Sequence, residues 1–435
     1  MSNEKYILKG TIIHTPTPSA FEIIEDGYLV CSNQTVEYLG ESLPEKYQGE
    51  RLIDYTGKLI IPGMADIHIH APQYGFRGLG MELDPDSTWT TWFETYSLPE
   101  ERRYADLEYA DKAYDKLISD LLKTSTTRLC LFGTIHREAT ELLMKKLDAA
   151  GFAAFVGKLN MDRNSVEGLE ETTEESLEET RQWLEETATL YDHVKPMITP
   201  RYIPSCTDAC MEGLERLIRE FRVPVQSHLS EALDEIEWVK SLKPEIDFYA
   251  QGYDMYHMLG DEVPSVMAHC VYPTDEEFAL MTQRKNLWVA HCPQSNLHST
   301  GFAAPIRRYL QAGVHVGLGS DMAGSNVLNM FRIIADTMLA GKVYWACKER
   351  GDDPYAKKTY ITISEAFYLA TKGGGSLWGN AGSFEEGFAF DAVVIDDTSL
   401  ADFNKRTARQ RIERVIQLAD DRNIVAKYIG GKQVL

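Results

Sequence analysis

The pattern of apolar and polar positions changes twice along the chain. Near both ends, short runs rich in β-branched and aromatic residues, such as YILKGTIIHT and FAFDAVVIDD, are bounded by Pro, Gly, Asn and Asp. Such runs are typical of β-strands joined by tight turns. We therefore predict a small β-sandwich domain that combines residues 1–62 with residues 385–435.

Between these ends, in residues 63–384, apolar runs alternate with stretches of helical periodicity. The strand candidates are LIIPGMADIH, TTRLCLFGT, FAAFVGKLN, KPMITPRYI, VPVQSHL, PSVMAHC, NLWVAHC and VHVGLGS. Amphipathic segments such as YADLEYADKAYDKLISDLLK and ACMEGLERLIREF lie between them. The alternation predicts an α/β fold with a parallel sheet, and eight units are the number that closes a (β/α)8 TIM-type barrel.

Polar residues stand at the predicted strand ends, where such barrels place their catalytic groups. His68 and His70 end the first strand, and their spacing puts both imidazoles on one face. Two imidazoles directed at one point begin a site for a divalent metal ion. The other polar residues at or just after strand ends are His136, Arg201, His228, His269, His291 and Asp321.

Each of these residues also has a structural interpretation. His228 alone could be a packed core residue, and Asp321 alone could be a turn or N-cap residue. His291 is better explained as a brace of the rim, and His136 has no assigned partner. Glu231 favours the functional interpretation, because a carboxylate three residues after His228 can transfer a proton beside a metal site.

The composition limits the partners of the protein. The 44 Lys and Arg residues against 66 Asp and Glu give a net charge of −22, so nucleic-acid binding is not expected. No apolar run approaches the roughly 18 residues of a membrane span, and the start shows no export signal. The seven cysteines are scattered, and the Cys206/Cys210 pair is interpreted as free thiols. We expect a cytoplasmic protein without a membrane partner.

A series of motifs resembles the amidohydrolase superfamily over essentially the whole chain. In order, they are PGMADIHIHAPQY, YSLPEE, VGKLNMD, VKPMITPRY, QSHLSE, MAHC, AHCPQSNL and VGLGSDMAG. Within the superfamily they are most similar to members that deaminate guanine. The resemblance implies a purine as substrate, hydrolysis of guanine to xanthine and ammonia, and assembly as a homodimer.

The resemblance also implies a metal centre with one zinc ion, although the same kind of site accepts iron or manganese. Its implied ligands are His68, His70, His228 and Asp321. Members with two metal ions use a carbamylated lysine at the end of the fourth strand. Here that position holds Arg201 and Tyr202, which favours a single ion.

The implied catalytic residues are Glu231, which would protonate the purine ring, Asp321, which would take a proton from the activated water, and His269, which would orient that water. The implied substrate contacts are Gln73, Arg201 and Tyr202, with His70 and His228 at the same site. Arg201 could instead form an ion pair with a carboxylate. Trp89, Trp92 and Phe93 could form a lid or could belong to the core.

Some positions depart from the family pattern. Tyr202 and Leu98 stand where Phe is usual, the stretch after His269 is altered at residues 270–272, and Asp84-Pro85 changes an earlier loop. Because these positions concern the shape of the pocket, a deaminase or dechlorinase of a pterin, 8-oxoguanine or triazine stays an alternative. A non-catalytic binding protein is a third hypothesis, which the retained ligands disfavour. Deaminases of the cytidine type require an H-x-E and a PCxxC motif that this chain lacks.

Overall fold

The computed structural model describes residues 5–82, 89–353 and 355–435, except for the side chains of residues 89 and 90. Asp84-Pro85 and the side chain of Trp89 therefore lie outside the described part. The strands are β1 (Tyr6–Thr17), β2 (Ala20–Ser32), β3 (Thr35–Gly40), β4 (Arg51–Pro62), β5 (Met64–His70), β6 (Thr126–Phe132), β7 (Ala153–Gly157), β8 (Leu159–Asn160), β9 (Val194–Pro196), β10 (Thr199–Pro200), β11 (Val225–Leu229), β12 (Ser265–His269), β13 (Leu287–His291), β14 (His315–Leu318), β15 (Ala392–Ile395), β16 (Ile424–Ile429) and β17 (Lys432–Gln433).

The α-helices lie mostly between the strands of the middle region. They are α1 (Trp89–Trp92), α2 (Leu98–Arg102), α3 (Leu107–Leu122), α4 (Arg137–Ala150), α5 (Thr173–Thr187), α6 (Asp208–Phe221), α7 (Leu233–Leu242), α8 (Gln251–Asp254), α9 (Asp275–Gln283), α10 (Pro293–Ser295), α11 (Ile306–Gln311), α12 (Met330–Tyr344), α13 (Ile363–Tyr368) and α14 (Ala408–Leu418). Among the described residues, no helix has the length and apolar character needed to cross a membrane.

Strands from both ends of the chain share one sheet, in the order β17-β16-β15-β4-β1-β2-β3. Tyr6 on β1 and Tyr428 on β16 have ring centroids only 5.8 Å apart, although β4 and β15 lie between their strands. A flat sheet would separate them by about 14 Å, since neighbouring strands lie about 4.8 Å apart. The sheet therefore curls strongly, helped by a register shift between Gly10 and Ile12. The terminal strands predicted to form a small sandwich domain thus belong to one continuous sheet.

All eight strand candidates of the middle region form strands. They lie in two four-stranded parallel sheets, β5-β6-β7-β9 and β11-β12-β13-β14, while β8 pairs with β10. Every residue of β5 and β6 is buried, as expected for parallel strands covered on both faces. The fourth candidate, KPMITPRYI, is divided between β9 and β10.

Backbone hydrogen bonds connect the two parallel sheets on both sides. On one side the amide of Gln226 donates to the carbonyl of Ile198 at 2.9 Å. On the other side the amide of Asp321 donates to the carbonyl of His68 at 2.8 Å, and the amide of His70 donates to Met322 at 3.0 Å. The bonds of Asp321 and His70 fix the segment after β14 against the end of β5, where the polar residues are concentrated.

The helices follow from the periodicity and from local capping. The two amphipathic segments quoted above appear as α3 and α6, and α5, α7 and α9 lie in the same alternating region. Helix α3 begins after Asp106, whose carboxylate accepts from the amide of Glu108 at 2.9 Å, and α5 begins with a capping box between Thr172 and Glu175. All seven cysteines are free thiols, and six of them are buried.

Candidate active site

The polar strand ends converge on one cavity. His70 ends β5, His228 lies in β11, His269 ends β12, and Asp321 follows β14 by three residues. All four line the cavity, together with Glu231 and other residues. The carboxyl ends of the parallel strands therefore bring these side chains together, as expected from their positions in the sequence.

The four predicted metal ligands form a compact, buried cluster. The carboxylate Oδ1 of Asp321 lies 3.2 Å from Nε2 of His68 and 3.4 Å from Nε2 of His70. Nε2 of His70 lies 3.2 Å from Nε2 of His228. Potential ligand atoms of His68, His228 and His269 also lie within 4.8 Å of one another, so His269 belongs to the same cluster.

The hydrogen bonds of these imidazoles suit metal binding. Nδ1 of His228 lies 2.7 Å from the carbonyl oxygen of Arg201, so Nδ1 carries the hydrogen and Nε2 has a free lone pair. Nε2 of His68 is close to Asp321 but makes no hydrogen bond with any described residue. Imidazole nitrogens that lie this close together would suit a shared cation.

The charge state of the imidazoles supports the same conclusion. Burial, followed by neighbouring positive groups, holds the pKa values of His68, His70 and His228 well below that of a free histidine. They are therefore neutral at physiological pH, which is the form that binds a metal ion. The residues present thus fit a divalent metal ion.

His269 is oriented by a residue that the sequence did not single out. Its Nδ1 lies 2.8 Å from Oδ1 of Asn296, so Nδ1 donates and Nε2 faces the carboxylates. Nε2 lies 3.5 Å from Oε2 of Glu231 and 3.8 Å from Oδ2 of Asp321. His269 therefore stands between the two predicted proton carriers.

Glu231 is buried and has an environment that keeps its proton. Burial, strengthened by the nearby charge of Asp321, raises the pKa of Glu231 to about 8. The hydroxyl of Ser299 donates to its Oε1 at 3.1 Å, and the Glu231 amide donates to Glu235 at 3.0 Å. A carboxyl group that is protonated near neutral pH can serve as a general acid.

Gln73 and Arg201 meet at the carboxylate of Glu101, which the sequence pattern does not single out. Glu101 in α2 accepts two bonds from Nη1 of Arg201, at 2.9 and 2.7 Å, and one from Nε2 of Gln73 at 2.8 Å. The alternative interpretation of Arg201 as a member of an ion pair is therefore confirmed, although Arg201 also lines the cavity. The only signal for Glu101 was its place in the YSLPEE motif.

Aromatic side chains form one wall of the cavity. Tyr202 is buried, and its ring packs edge-on against Phe93 and Trp238. The guanidinium of Arg201 lies 4.5 Å from the centroid of the Phe93 ring. Trp92 also lines the cavity and packs against Phe76. A lid function of these residues stays a prediction.

His136 and His291, the remaining candidates at strand ends, are not among the described residues that line the cavity. His291 is buried, and neither ring nitrogen has a hydrogen-bond partner among the described residues. Burial, together with nearby His269, lowers its pKa to about 3. His136 immediately precedes α4. The buried Lys158 forms an ion pair with Glu171 at 2.8 Å.

A buried cluster of imidazoles and carboxylates at the ends of parallel strands is typical of metal-dependent hydrolases. A family model described as the amidohydrolase family matches residues 59–434. The chain belongs to this family.

Its relatives include guanine deaminase of Dictyostelium discoideum, which is 35% identical over 98% of both chains. The chain is also 33% identical to human guanine deaminase over 99% of this chain and 96% of the human protein. Among solved structures, guanine deaminase from C. acetobutylicum with guanine bound in the active site is 41% identical, with a TM-score of 0.94 over 99% of this chain and 100% of that chain.

The solved structures also include a variant of triazine hydrolase, with a TM-score of 0.84 over 99% of this chain and 94% of that chain. At 18% identity, this similarity shows only that the fold is shared. The triazine alternative therefore gains no support beyond the fold.

Proposed function

We propose that this protein deaminates guanine hydrolytically to xanthine and ammonia. The observation that carries the proposal is the meeting of the imidazole cluster with Glu231, Gln73 and Arg201 in one buried cavity. This chain is 41% identical, over 99% of its length, to a guanine deaminase whose structure contains guanine. That similarity supports the choice of substrate.

One divalent metal ion would be held by His68, His70, His228 and Asp321, and zinc is the proposed ion. When bound, such an ion lowers the pKa of a water molecule from about 15.7 to about 7 and so supplies a nucleophile at neutral pH. A single ion is expected because the end of β10 is followed by Arg201 rather than a lysine. Lys195 lies in the preceding strand β9, and its ammonium donates to the carbonyls of Tyr191 and Ala188.

The protein groups then move the protons of the reaction. Asp321 accepts a proton from the attacking water, while His269 holds that water by a hydrogen bond. Glu231 donates its proton to ring nitrogen 3 of guanine as the bond from oxygen to carbon 2 forms. The carbon–nitrogen bond to the 2-amino group then breaks, and the proton held by Asp321 goes to the departing ammonia. Loss of the hydroxyl proton to Glu231 completes xanthine and restores the acid.

Substrate recognition is assigned to Gln73, Arg201 and Tyr202. Arg201 can only donate hydrogen bonds, which suits the 6-oxo group or ring nitrogen 7 of the purine. Gln73 offers a complementary polar group, and Tyr202 contributes an aromatic wall. His70 and His228 border the same space from the metal side.

We also propose that the two parallel sheets form one (β/α)8 barrel, spanning residues 63–384, and that residues 1–62 and 385–435 form a separate small domain. The hydrogen bonds that join Ile198 to Gln226 and Asp321 to His68 support closure on both sides. A homodimer and a cytoplasmic location stay predictions from the resemblance and from the reduced cysteines.

The test is a substrate panel with the purified, zinc-loaded protein. Guanine, 8-oxoguanine, a pterin and a triazine are supplied separately, and ammonia is measured together with the organic product. Xanthine and ammonia in equal amounts from guanine are expected. Turnover of another heterocycle a hundredfold better than guanine would contradict the proposal.

A further inference from the structure

Glu101 connects the two predicted purine contacts from behind the cavity. Its side chain is completely buried, and it is absent from the described residues that line the cavity. In addition to the bonds from Gln73 and Arg201, it accepts a hydrogen bond from the hydroxyl of Ser97 at 3.1 Å. One carboxylate therefore organises two side chains that are far apart in the sequence.

The bond to Glu101 determines which way the amide of Gln73 points. A carboxylate only accepts hydrogen bonds, so the amide nitrogen of Gln73 must face Glu101, and the same nitrogen also donates to Ser97 at 2.9 Å. The amide oxygen is left on the other side, where it accepts from the backbone amide of Ala323 at 3.2 Å. This oxygen keeps a second lone pair. Gln73 is thereby fixed as an acceptor toward a ligand.

The same carboxylate determines what Arg201 offers. Nη1 is committed to Glu101 by two bonds, and the positive charge is compensated within the protein. The planar guanidinium is further held by the ring of Phe93. Arg201 therefore presents hydrogen-bond donors to the cavity without creating a net charge that would favour an anionic ligand.

We propose that Glu101 is a positioning residue that determines purine specificity. It sets Gln73 as an acceptor and holds Arg201, which can only donate, in place beside it. This pair matches the N1–H donor and the 6-oxo acceptor of guanine, and it opposes 2,6-diaminopurine, in which both positions have the reverse polarity. The inference rests on the proposed function and deepens it. Because both purines carry the 2-amino group, their comparison tests recognition of the N1/C6 edge.

Glu100 provides a matched control. It is the neighbouring residue in the same helix and is also buried, but its carboxylate pairs with Arg103 at 3.1 Å and accepts from the hydroxyl of Tyr109. No bond from Gln73 or Arg201 to Glu100 occurs in the described part. The variants E100Q and E101Q therefore make the same chemical change with different consequences for the purine contacts.

The experiment measures kcat and KM for guanine and the inhibition constant of 2,6-diaminopurine in wild type, E101Q, E101D and E100Q. In E101Q the new amide can accept or donate a hydrogen bond, so the side-chain amide of Gln73 can rotate and exchange its oxygen and nitrogen. In E101D the charge beside Arg201 remains, but the shorter side chain cannot hold both partners. We expect the KM for guanine to rise about tenfold or more in both variants, with kcat changed much less. The preference for guanine over 2,6-diaminopurine should fall by about tenfold or more, whereas E100Q should keep it.

The outcomes separate this inference from the proposed function. If wild type forms no xanthine from guanine, the proposed function fails regardless of Glu101. If wild type is active but E101D keeps both the KM and the preference, the inference is overturned. The melting temperature of each variant shows whether it folds. If E101Q does not fold, the comparison of E101D with wild type tests the inference instead. A fall in kcat with unchanged preference would show a merely structural role and would also overturn the inference.

Discussion

The cavity has two sides that are built in different ways. The side proposed to bind the metal ion, here called the metal side, consists of residues in strands, such as His68, His228 and His269, and backbone hydrogen bonds between strands hold it. The proposed purine side consists of Gln73, in the 3-10 helical segment that follows β5, and Arg201, directly after β10, and hydrogen bonds to the side chain of Glu101 hold both.

This difference separates chemistry from specificity. Strand ends are fixed by the whole sheet, so the reactive groups depend little on neighbouring loops. The purine side depends instead on a few side-chain hydrogen bonds. Changes on the metal side should therefore affect turnover, whereas changes on the purine side should affect binding and substrate preference.

The largest effect is expected from His68→Ala. This change removes an imidazole from the centre of the cluster, so the metal ion is lost or weakly held and water activation fails. We expect turnover of guanine to fall by about 10⁴-fold or more, because free water is a far weaker acid than bound water. Elemental analysis and xanthine formation measure both effects. His257→Ala, at a partly exposed histidine, is the control, and normal metal content with normal turnover in His68→Ala would remove His68 from the site.

Glu231→Gln tests the metal side without removing a ligand. The amide keeps the shape and the contact with Ser299 but has no acidic proton to donate. Turnover should fall by about 10²–10⁴-fold, while the metal content stays at the wild-type value. Single-turnover rates and elemental analysis measure the two quantities. The exposed Glu237 supplies the control substitution Glu237→Gln. A rate close to that of wild type would exclude Glu231 as the acid.

The two sides also differ in how far the sequence predicts them. Apolar runs of strand length identify β5 and β11. Because the catalytic groups of such barrels lie at the carboxyl ends of the strands, the sequence then predicts that His68, His228 and Asp321 come together. Their roles as ligands stay a prediction. Periodicity does not reveal Glu101, because an acidic residue in a short helix is usually exposed and its partner Arg201 is 100 residues away.

The same limit applies to the terminal strands. Alternation identifies which residues of a strand share a face, but it does not specify which strands form hydrogen bonds with one another. Strands β4 and β15 come from opposite ends of the chain, and their antiparallel pairing joins the strands into one sheet. The sequence therefore predicts the strands of the small domain, but not that they pair in one sheet.

Arg201→Lys tests the purine side with an intermediate effect. Lysine keeps the positive charge near Glu101 but loses the planar, two-point geometry and the stacking on Phe93. We expect the KM for guanine to rise by about 10- to 100-fold, with a smaller change in kcat and no change in metal content. Steady-state kinetics measure this split. The exposed Arg216 gives the matched change Arg216→Lys. An unchanged KM would place Arg201 outside the substrate contacts.

The smallest effect concerns support of the metal side by Glu277. This buried carboxyl group accepts from the hydroxyl of Ser230, which directly follows β11, at 2.7 Å. Burial raises the pKa of Glu277 to about 7, with a smaller contribution from nearby Glu235. The folded protein therefore binds a proton more tightly than the unfolded chain does. The contribution of this tighter proton binding to the free energy of unfolding is complete below a pH of about 4.5. It is lost as the pH rises through about 7.

Glu277→Gln removes this titration and keeps a neutral acceptor for Ser230. Between pH 5 and pH 8 the free energy of unfolding of wild type should fall by about 1–3 kcal/mol relative to the variant. Urea unfolding at several pH values measures the difference. Glu276→Gln changes an exposed neighbour and should follow wild type. If Glu277→Gln shows the same pH dependence as wild type, Glu277 does not hold its proton in the folded state, and its hydrogen bond with Ser230 contributes no pH-dependent stability.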